Sequence, residues 1–169
     1  MDEASQRAAG FARHGRVSVD VGAEDGRIYA LVVNRKLARG RRPGGAELYC
    51  SEDGGASFER THEAPLETWI GWDFCDVRVA PEDSQSVYLC GQRLLVSHDG
   101  GASFRRAGEE LRRLHPQKTK AFHLDMHDVV LDPRKPGRLL IGSDGGLFES
   151  KDYAQSWLHL NTLPIGEFY

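Results

Sequence analysis

The sequence has no long hydrophobic run. Its longest apolar stretch, around Tyr29 to Val33, falls far short of the ~20 residues a membrane-spanning helix requires. No heptad pattern is sustained, which excludes a coiled coil. An excess of one charge is also missing: 22 Lys and Arg stand against 25 Asp and Glu, for a net of −3. Neither nucleic-acid binding nor membrane insertion is therefore expected of the chain as a whole. Cysteine is scarce and odd in number. Cys50, Cys75 and Cys90 form no Cys-x-x-Cys pair and sit in hydrophobic runs, so they read as buried free thiols. The polar first ten residues lack the apolar core of a signal peptide, so the chain as written is expected in the cytoplasm. An extracytoplasmic location is the expectation if it is an excerpt of a longer exported protein.

What is plentiful is glycine, 19 in 169 residues, above the usual ~7% and a mark of a turn-rich chain. Ser51-Glu52-Asp53-Gly54-Gly55-Ala56-Ser57-Phe58 recurs as Ser97-His98-Asp99-Gly100-Gly101-Ala102-Ser103-Phe104. A degenerate third copy is Ser150-Lys151-Asp152-Tyr153-Ala154-Gln155-Ser156-Trp157, and the copies start 46 and then 53 residues apart. That period is close to the ~40–50 residues of one four-stranded propeller blade.

The intervening segments repeat as well. Val17–Asp20, Val77–Ala80 and Val129–Asp132 are short segments with β-branched residues, each followed by a turn-rich stretch. Next come Ile28–Val33, Val87–Cys90 and Leu139–Ile141, and then Glu47–Ser51, Leu94–Ser97 and Leu147–Ser150. The octapeptide then leads as a hairpin into a fourth strand at Phe58–Thr61, Phe104–Ala107 and Trp157–Leu160. The expectation is an all-β fold of about three four-stranded antiparallel blades, twelve strands in all, forming a partial or open propeller.

The octapeptide has a mechanical reading. The Asp carboxylate accepts hydrogen bonds from N–H groups of its own turn, the Ser hydroxyl assists, Gly54 and Gly55 permit positive φ, and the closing aromatic packs under the hairpin. Ala154 in place of the second glycine should strain the third turn if φ is positive there. A calcium loop is the competing reading, but each copy offers little more than one carboxylate.

These residues resemble the Asp-box, or bacterial neuraminidase repeat, of sialidases, sortilin-type receptors and xyloglucan-degrading propeller hydrolases. Two further stretches are similar to the sortilin-like, glycosyl-hydrolase-like Asp-box propellers of bacteria: Trp69–Val79 with Val87-Tyr88, and His123–Asp128 running on to Gly142–Leu147. Leu163–Tyr169 looks like the point where such proteins begin their next blade. The resemblance implies one partial propeller domain over 1–169, with blade one at 14–62, blade two at 68–108, an inserted segment at 109–122, blade three at 123–161 and the start of a next blade at 163–169. Closed propellers carry at least ~4 blades, so the chain is expected to belong to a larger ring or to self-associate through open blade edges.

Chemistry is expected around His123 to Asp128. On a continuous strand His123, Asp125 and His127 share a face and Asp128 lies on the other. Two imidazoles and a carboxylate suit a divalent metal ion, or the acid–base positioning of a sugar; hydrogen-bonded channel polars are the plainer alternative. His123, Asp125, His127 and Asp128 are thus the candidate ligand residues, and the first three the candidate metal set. Asp144 occupies a position similar to an acidic residue of the xyloglucan-degrading propellers, which makes Asp125 and Asp144 the weak catalytic candidates. Glycoside hydrolysis needs two carboxyl groups ~5–10 Å apart, and the sequence pairs none with Asp144.

Three features carry less. Arg35, Lys36, Arg39, Arg41 and Arg42 fall in a Gly-rich insertion that reads as a solvated face or a landing site for an acidic partner. The stretch from Glu109 to His115 reads as one or two helical turns, and Trp69 and Trp72 as blade packing or sugar stacking. The preferred functional expectation is a noncatalytic module binding a glycan or protein ligand. A fragment of a sialidase- or xyloglucanase-like glycoside hydrolase is the alternative.

Overall fold

The computed structural model describes residues 14–34, 45–64, 66–67, 75–108 and 125–160. All regular structure among them is β. The first sheet contains β1 (His14–Val21), β2 (Ile28–Asn34), β3 (Gly45–Ser51), β4 (Glu59–Arg60) and β5 (Leu66–Glu67). The second contains β6 (Asp76–Ala80), β7 (Asp83–Cys90), β8 (Leu94–Ser97) and β9 (Arg105–Arg106). The third contains β10 (Met126–Leu131), β11 (Leu139–Ser143), β12 (Gly146–Ser150) and β13 (Leu158–His159). Each sheet is an antiparallel meander in chain order. The expected all-β architecture of three four-stranded sheets is present, with one correction to the count of twelve. The outer edge of β3 carries two short strands end to end: β4 pairs at Tyr49 and Cys50, and β5 at Gly45 and Ala46.

The sheets stack face to face, and side-chain alternation decides what each face meets. Tyr29, Leu31, Val33, Ala46 and Leu48 of the first sheet pack against Val77, Val79, Val87 and Leu89 of the second. Tyr88, Cys90, Leu94 and Val96, on the opposite face of the second sheet, pack against Met126, Val129, Leu139 and Ile141 of the third. Covered on both sides, β7 is buried without interruption from Ser86 to Cys90. Among the described residues the first sheet meets another sheet on one face; on its other face Val32, Glu47 and Tyr49 of β2 and β3 are buried, while Val17, Val19 and Val21 of β1 are more than half exposed.

Polar groups fix the stacking register. Asp20 Oδ2 accepts the Val79 N–H at 2.8 Å, Ser18 Oγ accepts the Val77 N–H at 3.2 Å, and the buried Tyr29 hydroxyl donates to the Ser84 carbonyl at 2.9 Å. Cys75 and Cys90 are buried and Cys50 half-buried, so the expectation of three buried thiols holds for two; Cys50 lies on β3 next to the octapeptide turn. Burial pushes the Cys75 and Cys90 thiols up to about 12, which leaves them protonated and inert.

All three octapeptides form the same turn at the same end of the stack. Ser51 Oγ donates to Asp53 Oδ1 at 2.7 Å and accepts the Gly55 N–H at 2.9 Å, while Asp53 accepts the Ser57 N–H at 2.9 Å and the Ser57 hydroxyl at 2.6 Å. Ser97, Asp99, Gly101 and Ser103 repeat this set, and Ser150, Asp152, Ala154 and Ser156 repeat it again. Hydrogen bonds from Ser57 above all hold the Asp53 carboxyl far below the usual carboxylate range. Phe104 packs on the core between sheets one and two, and Trp157 on the core between sheets two and three; Phe58 is half-buried. Gly55 and Gly101 have φ of +92° and +90°. Ala154 keeps the turn at φ +66°, a left-handed conformation that an L-residue adopts only with strain.

Candidate functional site

The His/Asp segment lies at the opposite end of the stack from the octapeptide turns, because β10 begins where β11 turns into β12. Within the described part of the expected strand through 123–128, from Asp125 onward, the strand is not continuous. Strand β10 starts at Met126, Asp125 precedes it with φ +64°, and the β10–β11 register shifts between Met126 and Asp128. A left-handed residue followed by a bulge re-aims the side chains, so period-two alternation does not carry from Asp125 to His127. His123 lies outside the described residues, as do Trp69, Trp72, the basic insertion at 35–42, the segment 109–122 and residues 163–169.

Neighbouring backbone holds the Asp125 conformation. The Asp125 N–H donates to the Gln92 carbonyl and the Met126 N–H to the Gly91 carbonyl, both at 2.9 Å, which ties the start of β10 to the β7–β8 turn. The Asp144 N–H approaches the Asp125 carbonyl at 3.4 Å, bringing the β11–β12 turn onto the same segment. A left-handed non-glycine residue persists where its surroundings fix it, as these bonds do here from two sides.

The bulge delivers His127 to Asp144. Nε2 of His127 lies 2.6 Å from Asp144 Oδ1, and both side chains are about one-third exposed, at 31% and 34%. The sequence marks both residues but not their pairing, which depends on the shifted register. With Nε2–H donating to the carboxylate, the imidazole is oriented by Asp144. Asp128 is exposed, accepts the N–H of Val129 at 2.8 Å, and lies 3.4 Å from the Arg78 guanidinium of the second sheet. Arg78 was not singled out by the sequence, and Gly91-Gln92-Arg93 only as the tract of the second sheet that matches the Asp144 turn without a carboxylate. Arg78 alternates with the buried Val77 and Val79, which was its available signal.

The segment thus carries a histidine–aspartate pair about one-third exposed, the strained Asp125 two residues before that histidine, and the exposed Asp128 beside an arginine. Such a set suits hydrogen bonding to hydroxyl-rich ligands. Among the described residues, no three His, Cys, Asp or Glu side chains are grouped as a metal ion would need, and His123, the third member of the expected metal set, lies outside them.

No protein-family model matches the chain, and no curated protein matches it. Among solved structures it is similar to the GH74 xyloglucanase from Xanthomonas campestris, with 20% identity and a TM-score of 0.61 over 87% of this chain and 23% of that one. It is also similar to the GH74 enzyme of Niastella koreensis, with 16% identity and a TM-score of 0.56 over 86% of this chain and 18% of that one. A third similar structure is an ancestral GH74 enzyme, with 13% identity and a TM-score of 0.53 over 88% of this chain and 18% of that one. The chain thus spans about a fifth of the length of these structures. At such identities the likeness concerns the fold: three consecutive four-stranded antiparallel sheets of β-propeller type.

Proposed function

We propose that the chain is a noncatalytic Asp-box propeller module that binds a glycan at the end of the third sheet, as part of a larger propeller. The observation that carries this reading is the His127–Asp144 pair, 2.6 Å apart and about one-third exposed, near the strained Asp125. Asp128 and, on the segment leading into the same strand, His123 complete the proposed contact set. A glycan presents hydroxyl groups that both donate and accept, matching an oriented imidazole and carboxylates on an open face. The Asp-box turns stand at the opposite end of the stack, with their carboxylates occupied by their own serines and backbone. Their proposed role is to brace the hairpins.

A second reading, a fragment of a glycoside hydrolase, draws on the same pair, since an imidazole bonded to a carboxylate also serves proton transfer. Asp125 and Asp144 are its candidate catalytic carboxylates. The experiment that separates the two is incubation of the chain with a panel of oligosaccharides, xyloglucan fragments included, beside Asp125→Asn and Asp144→Asn. Binding without turnover supports the module. Turnover abolished in both variants supports the hydrolase, and neither binding nor turnover sinks both.

A further inference from the structure

A concave site lies in the groove between the outer strands of the first and second sheets, and it shares the β7–β8 turn with the His/Asp face: Gln92 lines the groove and its carbonyl also accepts the Asp125 N–H. It encloses about 350 Å³, at the lower end of the ~300–1,000 Å³ typical of ligand pockets and a size suited to a single sugar ring. Its wall combines cations with an aromatic ring. Arg93 comes from the β7–β8 turn, Arg106 stands opposite Leu95 on the groove-facing side of β9, and Phe104 closes the second octapeptide. Among the described residues Arg93 pairs with no acid, and Glu63 is the one carboxylate lining the cavity. His62 meets Phe104 edge-on, with ring centroids 5.6 Å apart, and its Nε2 is buried without a hydrogen-bond partner. Burial, and secondarily Arg60, pushes the His62 pKa down, so the ring is a neutral donor and acceptor near pH 7.

We propose that this groove binds an acidic sugar, with the anionic group held by Arg93 and Arg106, the apolar ring face against Phe104, and a hydroxyl at His62 Nε2. Each wall group answers one part of such a ligand. Guanidinium forks suit carboxylate and sulfate alike, an aromatic ring suits the C–H face of a sugar, and a buried unpartnered nitrogen gains a hydrogen bond. A simple anion would leave Phe104 and His62 unused, and a neutral sugar would leave Arg93 unused.

The test is titration calorimetry of the full chain with D-glucuronate, D-glucose 6-sulfate and D-glucose. At least one anionic sugar is expected to bind about ten-fold or more tightly than glucose, and Arg93→Gln is expected to remove that margin, the loss of one charge-assisted hydrogen bond being of this order. The relative affinity of the two anions tells which group the site prefers. Arg93 is exposed, so its replacement leaves the fold intact, and Arg106→Gln provides a second reading. His127→Ala is expected to bind the anionic sugar as wild type does, which separates this site from the His/Asp face. Equal affinity for all three sugars, unchanged affinity in both arginine variants, or no binding of either anion at millimolar concentration overturns the proposal.

Discussion

Alanine in place of the second glycine of the first two octapeptides separates backbone strain from packing. Gly55 and Gly101 share the flanking sequence Asp-Gly-Gly-Ala-Ser-Phe and nearly the same φ, +92° and +90°. An L-residue in the left-handed region costs about 1–2 kcal/mol, and restriction of the unfolded chain returns about 0.4–1 kcal/mol; both effects apply to the two sites alike. The surroundings differ. A Cβ on Gly55 meets only Ile28 Cδ1, at 3.6 Å, an ordinary contact. A Cβ on Gly101 comes within 2.7 Å of Leu48 Cδ2 and 2.8 Å of Thr61 Oγ1. Leu48 is fully buried between the first two sheets, so it cannot swing aside, and overpacking of this kind adds about 1–3 kcal/mol. Gly55→Ala should therefore lose roughly 1 kcal/mol and Gly101→Ala roughly 2–4 kcal/mol. In urea titrations with unchanged slope, the midpoints should fall in the order wild type, Gly55→Ala, Gly101→Ala. For a chain of this size the two variants should melt about 2–12 °C apart. Equal midpoints for the two variants would refute the argument that the octapeptide of the second sheet is wedged against the first.

The remaining expectations concern the same scaffold. Replacing Asp20 by Ala removes the acceptor of the Val79 N–H and should cost about 1–3 kcal/mol in chemical denaturation; a loss indistinguishable from zero would show that the inter-sheet bond contributes nothing. Asp53, Asp99 and Asp152 have lowered pKa values; at Asp99 and Asp152 burial pushes upward, but hydrogen bonds from serine and backbone outweigh it. Their stabilisation is complete above the unfolded carboxylate value near ~4 and is lost as pH falls through the lower folded values, so acid melting should be shallower for Asp99→Asn than for wild type. An identical slope in both would contradict this linkage. The exposed valines of β1, at 52–55%, and Val130 and Leu158 of the third sheet, at 56% and 57%, leave apolar surface on both outer faces of the stack. Self-association of the isolated chain is accordingly expected in light scattering, against which a monomer at all concentrations would count.

The repeated octapeptides made the fold legible, since turn chemistry and strand alternation are local and recur three times. The stacking order followed from the same alternation, with Val87 and Leu89 facing one neighbour and Tyr88 and Cys90 the other. The split fourth strand was not legible, because β4 and β5 are two residues each and owe their pairing to the length of β3. The candidate site was half legible. His127 and Asp144 stand out by residue type, but their contact depends on the bulge at the start of β10 and the left-handed Asp125, neither of which follows from period-two patterning. The groove beside Phe104 was invisible, since His62, Arg93 and Arg106 come from separate elements and share no motif.

The central claim is that the His/Asp face binds a glycan, while the octapeptide aspartates brace their hairpins. The most direct measurement is titration calorimetry of the chain with a xyloglucan oligosaccharide and with zinc chloride, on wild type beside His123→Ala, His127→Ala and the hairpin variant Asp53→Asn. The account predicts that wild type and Asp53→Asn bind the oligosaccharide with one affinity, and that His127→Ala weakens it by about ten-fold, the upper end of what loss of one neutral hydrogen bond costs. Zinc heat that disappears in His123→Ala and His127→Ala would assign the same side chains to an ion. Absence of binding by wild type to both, or equal binding by His127→Ala, contradicts the claim and returns these residues to the scaffold.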